Sequence, residues 1–361
     1  MLGKRLRIGW AWYKAEMAAC CKSYDVGGHD NKIVALLGVA MQQVDALQLF
    51  LDKIPSKYPE HMLCYFALNA QHGVVLPFLL GFTRTLAEID SASPGYAEEM
   101  LQRLAGIKQT GEAQYEAVLQ ILGEIYVTQG VVEAADRENN VVFVGHEPGP
   151  HGNKNPECEA RIRGQWCAIE VKTPQLIAHA RQREKNDLQI STRLPRELTR
   201  DKAATLPRDN PVKDFLVSAE EKFAAYEGHR PGAMRLLVIV WDDFCYEPIA
   251  ALVSPISGLL TERSFFRTKN DVAVTYPHLD GIVVVRHQHQ LTRATRGELL
   301  VDGVVDAMRF RHDGFPPKAY IQVPGGRECP REVIETLGIC PLAACLGAEY
   351  QPLEMVSWMG G

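Results

Sequence analysis

The stretch Pro156-Glu157-Cys158-Glu159-Ala160-Arg161-Ile162-Arg163-Gly164-Gln165-Trp166-Cys167-Ala168-Ile169-Glu170-Val171-Lys172 reads as two strands and a turn. Side chains alternate between the two faces of a strand. Cys158, Ala160 and Ile162 therefore share one face with Cys167, Ile169 and Val171, provided a two-residue loop joins the strands. Arg163-Gly164 or Gly164-Gln165 can form that loop, because Gly supplies the positive φ that tight hairpin turns need. The opposite face carries Glu157, Glu159, Arg161, Ala168, Glu170 and Lys172. The first loop sets Glu157 across from Glu170; the second sets Glu159 there.

Crowding carboxylates on one face is costly, and a bound cation or a proton is the usual remedy. Oxygen-only ligands suit a hard cation such as Mg²⁺. Lys172 stands two residues past Glu170 and leans toward the same place, where an ammonium can hold or polarise an attacking water. The plain alternative is a solvated hairpin face with weak cross-strand ion pairs. An acid, any residue, then Lys occurs at Asp30-Asn31-Lys32, Glu170-Val171-Lys172 and Glu220-Glu221-Lys222. The tripeptide therefore carries little by itself. Only the middle one ends an apolar strand after a Gly turn, with Pro156-Glu157 upstream.

Pro156-Glu157 followed by Glu170-Val171-Lys172 resembles the PD-(D/E)XK nuclease superfamily over roughly the middle half of the chain. The resemblance implies an α/β fold: a restriction-endonuclease-like mixed sheet core flanked by helices. It implies hydrolysis of phosphodiester bonds, with DNA as the expected substrate, Mg²⁺ (or Mn²⁺) as cofactor, and a restriction or phage-defence role. Glu170, the Val171 carbonyl and either Glu157 or Glu159 would hold the metal, and Lys172 would orient water. The superfamily usually has Asp after the Pro; Glu157 stands here instead, so both Glu157 and Glu159 remain candidates. A Glu on the preceding helix often joins such a site, which nominates Glu116 or Glu124. Some relatives carry a functional glutamine after the Lys strand, where this chain has Gln175, Gln182 and Gln189. The competing expectation is a catalytically silent module of this fold that binds nucleic acid or a partner protein.

At 361 residues the chain is long for one ordinary core. The expected division is an α-helical accessory domain over 1–108, the core over 109–295 and a C-terminal extension over 296–361. The accessory helices are candidates for contacts with a partner protein or a second copy. Net charge is −5, so any nucleic-acid contact must come from a local patch. One such patch runs from Lys172 to Lys213, with ten Lys or Arg against five acids. Phosphates attract clusters of this kind, and such binding weakens with salt. The loop histidines His146 and His151 are weaker candidates for substrate contact or proton transfer. The nine cysteines form an odd set with no CxxC, which points to a reducing compartment. No signal segment or membrane span is expected, and a cytoplasmic protein is the reading. There is no P-loop, dinucleotide fingerprint or Gly-x-Ser-x-Gly elbow.

Periodicity predicts helices over 32–53, 60–71, 79–89, 96–105, 112–129 and 212–226, the fifth stopped by Gly130. Strands are predicted over 131–135, 141–145, 235–241, 249–253, 282–285 and 320–323. Thr173-Pro174 reads as the cap and first turn of a helix.

Overall fold

The computed structural model describes residues 30–54, 61–136, 143–146, 155–186, 188–193, 204–311, 318–345, 347 and 357–359. Helices α1 (Asp30–Lys53), α2 (Cys64–Gln71), α3 (Pro77–Ala92) and α4 (Tyr96–Ala105) come first. Pro77 begins α3, where its missing N–H costs nothing. Asp90 closes the corner to α4 by accepting from Gly95 N–H at 3.0 Å and Ala97 N–H at 2.9 Å. Helix α5 (Gly111–Ala134) follows and is buried on nearly every side. It runs straight through Gly130, so the predicted stop and the strand over 131–135 are both wrong. Gly130 lies flush against the Phe310 ring, where a Cβ would collide. Burial between two layers outweighs the weak helix propensity of Gly130, Val131 and Val132.

The chain then forms β1 (Phe143–His146), β2 (Cys158–Ile162), β3 (Gln165–Lys172), α6 (Ile177–Lys185), β4 (Leu188–Ile190), β5 (Ala204–Thr205) and α7 (Asp209–Tyr226). It continues with β6 (Met234–Trp241), α8 (Tyr246–Val253), β7 (Gly281–Arg286), α9 (Gln288–Thr295), β8 (Lys318–Gln322), α10 (Arg331–Leu337), β9 (Ile339–Pro341) and β10 (Ser357–Met359). Seven strands make one mixed sheet in the order β1-β2-β3-β6-β7-β8-β9, so the class is α/β. The β1-β2-β3 edge is antiparallel, whereas β3, β6 and β7 run parallel with their carboxyl ends together. A small second sheet has the order β10-β4-β5.

Strand β6 is buried throughout, as a central strand covered on both faces should be. Leu236, Val238 and Val240 face the core that holds α5 and the N-terminal helices. Leu237, Ile239 and Trp241 face the opposite core with α7 and α8. Residues 1–108 and 109–295 thus share one continuous apolar cluster where they are described, and the segment after 295 adds β8 and β9 to the same sheet.

Two further expectations are corrected. The segment 249–253 lies in helix α8, not in a strand. A short apolar run is ambiguous by periodicity, and the Ala250-Ala251 pair favours a helix. Helix α6 starts at Ile177, not at Thr173-Pro174. The Pro174 carbonyl instead accepts from Gln288 Nε2 at 2.9 Å. Among the described residues, no helix is long and apolar enough to cross a membrane.

Candidate metal centre

The β2–β3 turn is Arg163-Gly164, with φ of 50° and 80°. Asp136 fastens it by accepting from Arg163 N–H at 2.7 Å and Gly164 N–H at 2.8 Å. Pairing then runs from Ile162↔Gln165 to Cys158↔Ile169. The same register, extended one residue past the end of β2, sets Glu157 opposite Glu170. Cys158 and Cys167 sit fully buried on the other face, as the alternation requires.

Glu170 is wholly buried. Lys172 Nζ lies 2.7 Å from its Oε1. Lys222, from α7, sets its Nζ 2.9 Å from Glu170 and 3.3 Å from Glu157 Oε1. One ammonium is therefore shared by the two acids of the hairpin. Helix α5 contributes Glu124, paired with Arg103 Nη2 at 2.6 Å. Gly123 makes this approach feasible: a Cβ there would run into Thr173 Oγ1, just past Lys172.

Burial pushes the Glu124 carboxyl up to about 7, helped by the charges of Glu157 and Glu170 and opposed by Arg103. Burial also raises Glu170, against the pull of Lys172 and Lys222 and with the push of Glu157. Two oxygens of this cluster, Glu170 Oε1 and Glu124 Oε2, are buried without a hydrogen bond. Each nevertheless lies against a cation, Glu170 Oε1 2.7 Å from Lys172 Nζ and Glu124 Oε2 2.6 Å from Arg103 Nη2, so both are ion-paired. Carboxylate oxygens are also the ligands a hard cation takes. As the side chains stand, no three acids, histidines or cysteines are gathered tightly enough to hold a metal among the described residues. The two findings meet at Lys222. Three acids (Glu124, Glu157, Glu170) balance three cations (Arg103, Lys172, Lys222), and a divalent ion would have to displace part of that balance. The carboxylate oxygens are of the type a hard cation takes, but Lys222 Nζ occupies the space between Glu157 and Glu170. Val171, paired with Val238, would add only its backbone carbonyl.

The other predicted residues lie apart. Glu159 is across from Ala168 and buried, held by Arg230 through bonds of 2.6 and 3.2 Å. Arg230 in turn lies 4.0 Å over the Trp166 ring. Glu159 is thus a structural acid with its own cation, and Glu157 is the one that meets Glu170. Glu116 accepts from Ile177 N–H at 3.0 Å, supporting the start of α6. Gln189 binds the Arg183 and Asn186 carbonyls, which fixes a turn. His151 and the side chain of His146 lie outside the described residues. The basic segment is partly neutralised: Arg181 meets Glu112, Arg183 meets Asp242 and Arg193 meets Asp209.

Lys222 and Arg103 were not predicted. Lys222 belongs to the third acid-x-Lys tripeptide, and it adjoins Phe223 on the α7 stripe that faces the sheet. That position was readable as the border of a buried face. Nothing in the sequence around Arg103 pointed to Glu124. Comparison of the chain with protein-family models, with curated proteins and with solved structures finds no match.

Proposed function

We propose that the chain is a metal-dependent nuclease of the PD-(D/E)XK kind, with a restriction-endonuclease-like core, acting on DNA with Mg²⁺ or Mn²⁺. The observation that carries this reading is the buried Glu170 with Lys172 on its own strand and with Glu157 joined to it through Lys222. The order of a helix, an antiparallel hairpin, a helix and a parallel strand supports it. Glu157, Glu170 and the Val171 carbonyl would hold the ion. A bound divalent ion supplies positive charge that polarises a phosphoryl oxygen. Lys172 Nζ orients the attacking water. Glu124, with a carboxyl near 7, can take up a proton at neutral pH. Plasmid nicking in Mg²⁺ by the parent, Glu170→Gln and Lys172→Met tests the reading. Variants that cut like the parent would place the chemistry elsewhere.

One observation favours a second reading. Lys222 already neutralises Glu157 and Glu170 without a metal. A catalytically silent module of the same fold, binding nucleic acid or a partner protein, needs no more than that. Calorimetry with Mn²⁺ separates the two, since a silent module need not take up the ion.

A further inference from the structure

Seven cysteines lie among the described residues, and six of them are buried. The seventh, Cys340 in β9, is part-exposed at the edge of the large sheet. The chain reverses directly after it. Pro341 ends β9, Leu342–Ala344 form one 3₁₀ turn, and the Cys345 N–H donates to the Leu342 carbonyl at 3.1 Å. The turn brings Cys345 back to Cys340, with the Cys345 side chain in the core that holds α7 and α8.

Three sulfur contacts define the pair. Cys340 Sγ lies 3.6 Å from the Pro341 carbonyl oxygen. Cys345 Sγ lies 3.5 Å from that same oxygen and 3.6 Å from the Cys340 carbonyl. The two thiols stand within hydrogen-bonding reach of each other. Burial pushes the Cys345 thiol up to about 12, and the neighbouring Cys340 sulfur adds to the rise. A reagent in solution therefore meets Cys340 first. Cys345 needs no path to solvent, because the sulfur it has to reach is that of Cys340.

The chemistry of the pair narrows what it does. A tetrahedral zinc site takes four ligands, and among the described residues no third acid, histidine or cysteine gathers with these two. Two thiols in contact have another outlet: together they lose two electrons and join as a disulfide. The remaining described cysteines, Cys64, Cys158, Cys167, Cys245 and Cys329, are all buried and offer no open sulfur to start that reaction.

We propose that Cys340 and Cys345 are a redox-active dithiol, closed to a disulfide by exchange with a low-molecular-weight disulfide such as oxidised glutathione. In the first step the Cys340 thiolate attacks one sulfur of the outside disulfide. The outside S–S bond breaks, one thiolate leaves and takes up the proton that Cys340 gave up, and Cys340 is held as a mixed disulfide. Cys345 then loses its proton and attacks Cys340 Sγ. The mixed disulfide breaks, and the second outside thiolate leaves with that proton. The chain has lost two electrons and two protons, and one outside disulfide has become two thiols. Loss of the Cys340 charge in the first step removes its share of the rise at Cys345, which favours the second. Where the surroundings keep thiols reduced, such a pair stays open and closes only as disulfide accumulates. The pair lies at the opposite edge of the sheet from the hairpin, and the proposal does not depend on the metal centre.

The test is mass-spectrometric peptide mapping of the full chain after incubation with oxidised glutathione and alkylation of the remaining thiols in denaturant. In the parent, Cys340 and Cys345 should escape alkylation and be joined to each other. Cys345→Ser keeps the first step and loses the second, so it should hold glutathione on Cys340. That adduct should be at least about tenfold more abundant than in the parent. Cys340→Ser should leave Cys345 without an adduct, and dithiothreitol should restore both thiols of the oxidised parent. Full alkylation of both cysteines in the parent, a lasting adduct on its Cys340, or a bond from either one to a different cysteine overturns the proposal. The parent measurement decides even where a variant fails to fold. Glu170→Gln should close the pair as the parent does, so loss of nicking and loss of closure are read separately.

Discussion

Glu170 in β3 and Asp280 just before β7 are both fully buried carboxylates at the same sheet, and they are treated in opposite ways. Asp280 receives six N–H groups, three from Arg235 and three from Arg327, at 2.8 to 3.3 Å. Burial alone would raise its carboxyl, but these bonds outweigh it and hold the group below the usual range. Glu170 has two ammonium groups and an oxygen without a hydrogen bond, and it is held above the usual range. Guanidinium forks fix a carboxylate in two directions, whereas an ammonium is a point charge on a flexible stem. The Asp280 network is arranged to stay, and the Glu170 cluster is arranged so that its charges can be exchanged. Sites that leave polar groups incompletely matched inside an otherwise consistent fold are where function is expected.

Paired substitutions sharpen that contrast. Glu170→Gln should abolish Mn²⁺ uptake and lower nicking by about 10² or more, with the melting temperature unchanged or raised. Asp280→Asn should do the opposite. Losing the charge beside the buried Arg235 guanidinium and the part-exposed Arg327 one should cost about 3–5 kcal/mol in denaturant unfolding. Its folded fraction should bind Mn²⁺ as the parent does. Equal stability losses in the two variants would erase the distinction. The next effect in size belongs to Lys222. If its ammonium competes with the metal, Lys222→Met should tighten Mn²⁺ binding by about tenfold in calorimetry. Unchanged or weaker binding would make Lys222 a support of the cluster and not a competitor.

The Glu170 side of this contrast follows from the sequence, the Asp280 network does not, and the unread part has a physical cause. The hairpin, its buried cysteines and its charged face follow from alternation about a Gly turn, and Asp136 selects one of the two loops the sequence allowed. That choice joins Glu157, not Glu159, to Glu170. No local signal encodes Asp136, which lies 27 and 28 residues from the N–H groups it holds. The same limit explains α5. Local propensity stops a helix at Gly130, but the Phe310 ring, far along the chain, needs that glycine. Lys222 was visible as a lysine in a helix. Its meeting with two acids depends on how α7 crosses the sheet, which periodicity alone does not give.

The last expected effect lies in the pH dependence of Glu124. Its folded carboxyl stands at about 7, against an ordinary value of 4.5. The folded protein therefore holds this proton more tightly than the unfolded chain does. The resulting stabilisation is complete below the unfolded value and is lost as pH rises through about 7. A displacement of this size corresponds to at most about 3 kcal/mol, with the opposing pull of Arg103 already within it. In EDTA, the parent should lose stability between pH 5 and 8 from this group, whereas Glu124→Gln, which keeps an uncharged side chain throughout, should show a flatter profile. The variant should be the more stable of the two at pH 8 and close to the parent at pH 5. Parallel profiles across that window would mean that Arg103 outweighs burial and keeps the carboxylate charged throughout it. Glu124 would then belong with Asp280, among acids whose charge the fold has already answered.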